Sequence, residues 1–217
     1  MTVEFDGPAG RIEGLLDGPT ENPRAAVVFA HPHPLLAGGG TMHTKAVFQG
    51  MKGLTRIGCA VLRFNFRGVG RSQGTFDHGV GERADFTAAL DWMSAKFPGV
   101  PLWAAGFSFG SWIALETGAA DQRVSLLIGI APPWTFKHGD QDSREDYTWP
   151  NTLATEKPKF FVQGEGDEVC AIQDMWAYYA KLHEPKELVV IDAANHLFEG
   201  HTSEVGDALA DLLGDYE

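Results

Sequence analysis

Two cysteines in 217 residues, Cys59 and Cys170, are too few for a disulfide scaffold or a cysteine-rich zinc cluster. Basic residues are also scarce: 17 Lys and Arg face 29 Asp and Glu, for a formal charge of −12. That field repels nucleic acid and anionic membranes, so neither is expected as a partner. Long apolar runs are missing, none approaching the roughly 18 residues a membrane helix needs. The opening Met1-Thr2-Val3-Glu4-Phe5-Asp6-Gly7 has neither the basic start nor the apolar core of a secretion signal, which makes the cytoplasm the expected compartment. What remains is ordinary globular material, 44 % apolar and 21 % charged, of a length suited to one domain over 1–217.

Short β-rich runs alternate with helical stretches. Val3–Asp6 and Arg11–Leu16 read as two opening strands, and Ala25–Ala30 as a strand buried on both faces. A helix over about His43–Ile57 leads to a strand at Cys59–Phe64, then to the turn residues Arg67-Gly68-Val69-Gly70. In Ala84–Phe97, Phe86, Ala89, Leu90 and Met93 share one helical face. Pro101–Ala105 is a strand and Ser111–Thr117 a helix. Val124–Ile130, Lys159–Gln163 and Glu187–Ile191 complete the strands, with helices at Ile172–Leu182 and Ser203–Leu213. This order implies an α/β architecture: a mostly parallel, doubly wound sheet of about seven to eight strands. Ala131–Pro158 is irregular and too long for a plain connection, so it is expected to be a loop or short lid insertion.

Gly106-Phe107-Ser108-Phe109-Gly110 follows a strand and opens a helix, the setting in which G-x-S-x-G forms a nucleophile elbow. Seven serines and 26 glycines in this chain yield about 0.1 such matches by chance. A serine needs a base, and the base an orienting acid; beside an elbow of this kind the acid and the histidine follow in that order. The loop after Lys159–Gln163 offers Asp167, with Glu165 and Glu168 as rivals. The loop after the last strand offers His196. His31-Pro32-His33-Pro34 also has the His-x-His spacing of some metal sites, but His43, His78 and His138 do not stand at strand ends to complete one. No metal and no cofactor is expected. Both cysteines read as inert structural thiols.

His31-Pro32-His33-Pro34-Leu35, Arg63-Phe64-Asn65-Phe66-Arg67-Gly68-Val69-Gly70, Ser72, Phe76-Asp77-His78-Gly79 and the elbow together resemble the α/β-hydrolase family across nearly the whole chain. More narrowly they resemble a group of small bacterial hydrolases without a cap domain, related to dienelactone hydrolases. Dienelactone hydrolase itself uses a cysteine nucleophile where this chain has Ser108. The resemblance implies a triad of Ser108, Asp167 and His196. It also implies an oxyanion hole fed by the loop after the third strand, where Pro32 and Pro34 have no N–H, leaving His33 first and Leu35 second. Phe109 would supply the other N–H. Leu35, Phe107, Trp134 and Phe198 are candidates for the acyl pocket.

The expected activity is that of a serine hydrolase, a carboxylesterase acting on small short-chain esters. A thioesterase, peptidase or acyltransferase on the same fold remains open, as does a non-catalytic binder of small molecules. A homodimer is also left open. In Ala131–Pro158 the stretch His138–Asp146 is strongly polar, so no long greasy tunnel is expected; Trp134, Phe136 and Trp149 are expected to fold over a short acyl group.

Overall fold

A computed structural model describes residues 1–36, 38–137 and 146–216. Eight strands form one sheet: β1 (Thr2–Gly7), β2 (Gly10–Asp17), β3 (Ala26–Ala30), β4 (Ala60–Phe64), β5 (Leu102–Phe107), β6 (Val124–Ile130), β7 (Lys159–Gly164) and β8 (Lys186–Ile191). Their spatial order is β1-β2-β4-β3-β5-β6-β7-β8. The β1–β2 and β2–β4 pairs are antiparallel and all later pairs parallel. The helices are α1 (Lys45–Arg56), α2 (Val80–Lys96), α3 (Phe109–Ala120), α4 (Pro150–Ala154), α5 (Ile172–Tyr179) and α6 (Thr202–Gly214).

The strand Ala25–Ala30 reads as a continuous apolar run because both faces of the sheet are covered. Alternate residues go to opposite layers. Val28, Leu62 and Ala104 pack with Phe86 and Leu90 of α2 and Ile113 of α3, while Val27, Val61 and Ala105 pack with Val47 of α1 and Leu209 of α6. Phe86, Ala89, Leu90 and Met93, the face read from helical spacing, are all buried. On the other layer α1 and α6 touch backbone to backbone. A Cβ on Gly53 would stand 2.1 Å from the Gly206 carbonyl oxygen, so neither position accepts a larger residue without the helices moving apart.

Some elements differ from their expected bounds. α2 begins at Val80 rather than Ala84, because the Glu82 carboxylate turns back to accept the N–H groups of Asp77 and Gly79, at 2.8 and 2.7 Å. α3 begins at Phe109, directly after the elbow serine, rather than at Ser111. α4 was not read from the sequence; buried Glu116 creates it by accepting from Thr152 N and Oγ1 at 2.8 and 2.7 Å.

The flanks of 138–145 are rooted in the core. Trp134 Nε1 reaches Met175 Sδ at 3.2 Å, Trp149 Nε1 donates to Trp134 O at 3.1 Å, and Trp112 Nε1 donates to Thr148 O at 3.0 Å. Trp112 stacks on Tyr147 with 3.9 Å between ring centroids. Trp134 and Trp149 therefore pack into the sheet-covering layer instead of folding over an acyl group. The polar stretch His138–Asp146 lies, but for Asp146, outside the described residues.

Candidate active site

The C-terminal ends of the parallel strands carry the site. At the end of β5 the chain reverses into α3 through Ser108, at φ 53 and ψ −124. Few non-glycine residues are found there, and the strain is held by packing on both sides. A Cβ on Gly106 would stand 2.1 Å from Gly110 O, and one on Gly110 2.4 Å from His31 O. The two glycines of the motif are thus required by backbone contact rather than by loop flexibility. Ser111 Oγ donates to the Ser108 carbonyl at 2.6 Å and steadies the turn.

Ser108 Oγ lies 2.9 Å from His196 Nε2, and His196 Nδ1 lies 2.9 Å from Asp167 Oδ2. A carboxylate only accepts, so Nδ1 carries the ring proton and Nε2 is free to accept from the serine hydroxyl. All three side chains are buried or nearly so. Asp167 Oδ1 accepts from Val169 N at 2.9 Å and Cys170 N at 2.7 Å, while Oδ2 also accepts from Gln163 Nε2 at 3.0 Å. This arrangement can draw a proton from Ser108 and hold the resulting imidazolium beside a fixed negative charge.

The rival acids have other positions. Glu168 Oε2 accepts from His196 N at 3.4 Å and Glu165 Oε2 from Ala193 N at 3.3 Å, so both latch the histidine loop to the acid loop. The Cys170 thiol is buried, with its Sγ and the ligating atoms of Asp167 and His196 within 4.8 Å of one another. Burial, reinforced by the Asp167 charge, raises its pKa well above the ordinary thiol range. Cys59 is pushed up to about 11, again by burial.

His31 is spent on structure. Its ring is fully buried, with Nδ1 2.7 Å from Pro32 O and Nε2 accepting from Phe66 N at 3.1 Å. Burial pulls its pKa down to about 4. Neither ring nitrogen is left to serve as a ligand. The turn after β4 is tied down as well: Glu13 accepts from Asn65 Nδ2 and Arg71 N, and Asn65 Oδ1 accepts from Met42 N. Arg63 donates to Met42 O at 2.7 Å and to Asp17 through Nε and Nη2. This buried lattice anchors the far end of the loop that begins at Pro32.

A cavity of about 100 Å³ opens above Ser108, lined by Pro32, His33, Leu36, Val169, His196 and Leu197, among others. His33 is among the lining residues. Leu35 is not: the residue is 62 % exposed and its N–H donates to His33 Nδ1 at 3.2 Å. Phe107, Trp134 and Phe198 are likewise absent from the lining. Phe107 points under the site, its ring centroid 5.4 Å from that of His196, and Phe198 packs beneath it at 6.0 Å. Trp134 packs on Tyr178 and Phe161. The Phe109 ring is buried against His33, Phe66 and Phe76, while its N–H belongs to the first turn of α3, where no intrahelical acceptor exists.

The model of the family described as serine aminopeptidase, S33 (Hydrolase_4), matches residues 21–156. The chain belongs to the α/β serine hydrolases. An α/β serine hydrolase homologue from Coxiella burnetii is 36 % identical to it over 98 % of this chain and 97 % of that one, with a TM-score of 0.85. An α/β serine hydrolase without lid from Xanthomonas campestris is 32 % identical over 98 % and 93 % of the two chains, with a TM-score of 0.81. An uncharacterized protein of Rickettsia prowazekii (strain Madrid E) is 35 % identical over 97 % of this chain and 87 % of its own length.

Sequence reasoning about this hydrolase missed Gln163, Leu36, Val169 and Leu197. A signal existed for the first. Gln163 is a polar residue at the end of the apolar run Phe160-Phe161-Val162, and a buried polar group there has to find a partner. No comparable signal marks the other three, whose directions depend on loop geometry.

Proposed function

We propose that this protein is a carboxylesterase that cleaves small, short-chain esters through an acyl-enzyme on Ser108, the whole chain acting as one catalytic domain. The observation that carries the reading is the continuous Ser108–His196–Asp167 relay, 2.9 Å at each step, opening into a cavity of only about 100 Å³. Sites for drug-sized ligands span roughly 300–1,000 Å³, so this one favours small acyl groups. Its walls of Leu36, Val169 and Leu197 are apolar, as an acyl chain requires.

In this reading Ser108 Oγ attacks the acyl carbon as its proton passes to His196 Nε2. The N–H groups of Phe109 and His33 hold the developing oxyanion. His196 then returns the proton to the leaving alkoxide. Asp167 stays ionised and stabilises the imidazolium. A water deprotonated by His196 attacks the acyl-enzyme, and the acid leaves as Ser108 recovers its proton. Each bond made or broken at the acyl carbon is accompanied by a proton transfer to or from His196 Nε2.

The test pairs a fluorophosphonate probe with a substrate panel. Intact mass should show one adduct on the wild type and none on Ser108→Ala, whose ester turnover should fall below about 1 % of wild type. Among p-nitrophenyl esters, kcat/KM should peak between acetyl and roughly hexanoyl, since each methylene gains about 0.8 kcal/mol only where apolar surface receives it. A rise continuing to dodecanoyl, or faster turnover of thioesters or aminoacyl amides than of esters, overturns the substrate reading.

A further inference from the structure

Strand β7 ends in a polar side chain that the reaction described above does not use. Gln163 is wholly buried. Its Nε2 lies 3.0 Å from Asp167 Oδ2 and 2.8 Å from the Cys170 carbonyl oxygen. Its Oε1 meets no hydrogen-bond donor among the described residues. A carboxamide can occupy such a site either way round, and here the neighbours choose. Both are acceptors, so only the NH₂ end satisfies them. The reverse orientation would press an oxygen against a carboxylate and a carbonyl. Burying Oε1 unpaired is costly, and the cost is tolerated in exchange for two donors aimed at the acid loop.

The Asp167 carboxylate therefore receives four donors. Val169 N and Cys170 N take Oδ1, and Gln163 Nε2 shares Oδ2 with His196 Nδ1. The two backbone donors sit on the same loop as Asp167 and move with it. Gln163 is the donor that comes from the sheet, the rigid part of the fold. It also ties the loop's far end by holding the Cys170 carbonyl.

Resting on the serine hydrolase reading, we propose that Gln163 is a positioning residue for the acid, locking the Asp167 carboxylate to the sheet so that Oδ2 faces His196 and sharing its charge. Without that donor the Oδ2 charge falls on the His196 Nδ1–H bond alone and the carboxylate gains freedom to turn. Among the described residues, Glu168, whose Oε2 accepts from His196 N, and the Cys170 thiol are titratable groups that face the pair. Both are present in every variant below, so differences among the variants report position 163.

The experiment measures fluorophosphonate labelling and ester turnover against pH for wild type, Gln163→Met and Gln163→Glu. Met is close in shape and donates nothing. It should lower kcat about 10- to 100-fold with KM little changed, the effect expected of losing a hydrogen bond to a charged group. The acid limb of its pH profile should move away from that of the wild type, because the charge on Asp167 Oδ2 is no longer shared with Gln163. Glutamate donates only while protonated. Gln163→Glu should therefore approach wild-type rates at low pH and lose them through a new alkaline limb, as two carboxylates sharing one proton separate. Wild-type rates and an unchanged profile in both variants overturn the proposal.

If Gln163→Met does not fold, the alkaline limb of Gln163→Glu decides. NMR of the wild type decides without any variant: both Gln163 amide protons should be protected from exchange, and free exchange overturns the proposal. A wild type that never labels sinks the hydrolase reading instead, which keeps the two failures apart.

Discussion

The two ends of strand β7 bury opposite charges. At the C-terminal end Asp167 collects four N–H donors, three of them shorter than 3.0 Å. At the N-terminal end Lys159, also wholly buried, donates to Lys157 O at 2.7 Å and His183 O at 2.9 Å. Nearby, Lys157 Nζ donates to Gly118, Ala119 and Asp121 carbonyls at the end of α3, and Lys186 Nζ to Leu182 O. Parallel strands with crossover helices explain the contrast. Helix N-termini with spare N–H groups gather at one edge of the sheet, and C-termini with spare carbonyls at the other. Negative charge belongs at the first edge and positive charge at the second. An edge that stabilises anions through backbone N–H groups is also the edge suited to an oxyanion.

The comparison predicts that one end governs turnover and the other governs folding. Asp167→Asn should break the first most severely. Asn presents its amide where Nδ1–H needs an acceptor, which favours the wrong tautomer, and kcat should fall about 10⁴-fold. Thermal unfolding should shift far less than turnover: Asn Oδ1 still accepts from Val169 and Cys170, while the Gln163 donor loses one of its two acceptors. A loss smaller than tenfold would move the orienting role to another acid.

The next effect in size belongs to His31, at the same edge, a buried base with no charged partner. Its folded value of about 4 lies below the ordinary 6.5, so the unfolded chain binds the extra proton between those limits. Stability should therefore be full above pH 6.5 and fall by about 3 kcal/mol as pH drops to 4. Urea unfolding at pH 7.5 and 4.5 measures it, and His31→Gln should lack that part of the slope. Equal slopes in the two proteins would contradict a neutral His31.

Lys159 should give the smallest effect, with no bearing on turnover. Burial, with Lys186 adding repulsion, lowers its pKa from 10.5 to about 8. The folded protein then binds fewer protons between pH 8 and 10.5, so stability gains as pH rises through that window. Against Lys159→Met, which cannot titrate, the wild type should gain about 2 kcal/mol between pH 7.5 and 10. Ester turnover at pH 7.5 should match in both. A Lys159→Met variant that loses activity would show that the two ends of β7 are coupled.

Where backbone sterics or two-sided burial fix the residue type, the sequence was legible. Gly106 and Gly110 stand where any Cβ would strike main chain, so the elbow is written in residue identity. β3 buries both faces and reads as an apolar run. The order of Asp167 and His196 after Ser108 follows from strands that share a direction. Less was legible in the loops. Leu35 and Leu36 are adjacent leucines, yet one faces solvent and the other the cavity, a choice made by the turn after Pro34. Phe107, Phe198 and Trp134 adjoin the site in sequence but turn into the layers below it, where large aromatic surface is best buried.

By itself the sequence determined the α/β order, the position of the elbow serine and the histidine that can reach it, because each is tied to local geometry or strand polarity. Only the tertiary structure decided which of Glu165, Asp167 and Glu168 meets His196. All three stand on one short loop, and the choice is made by where Gln163 and the Val169 and Cys170 N–H groups converge. Side-chain direction in a loop is fixed by partners distant along the chain, and no local pattern of residue types records them.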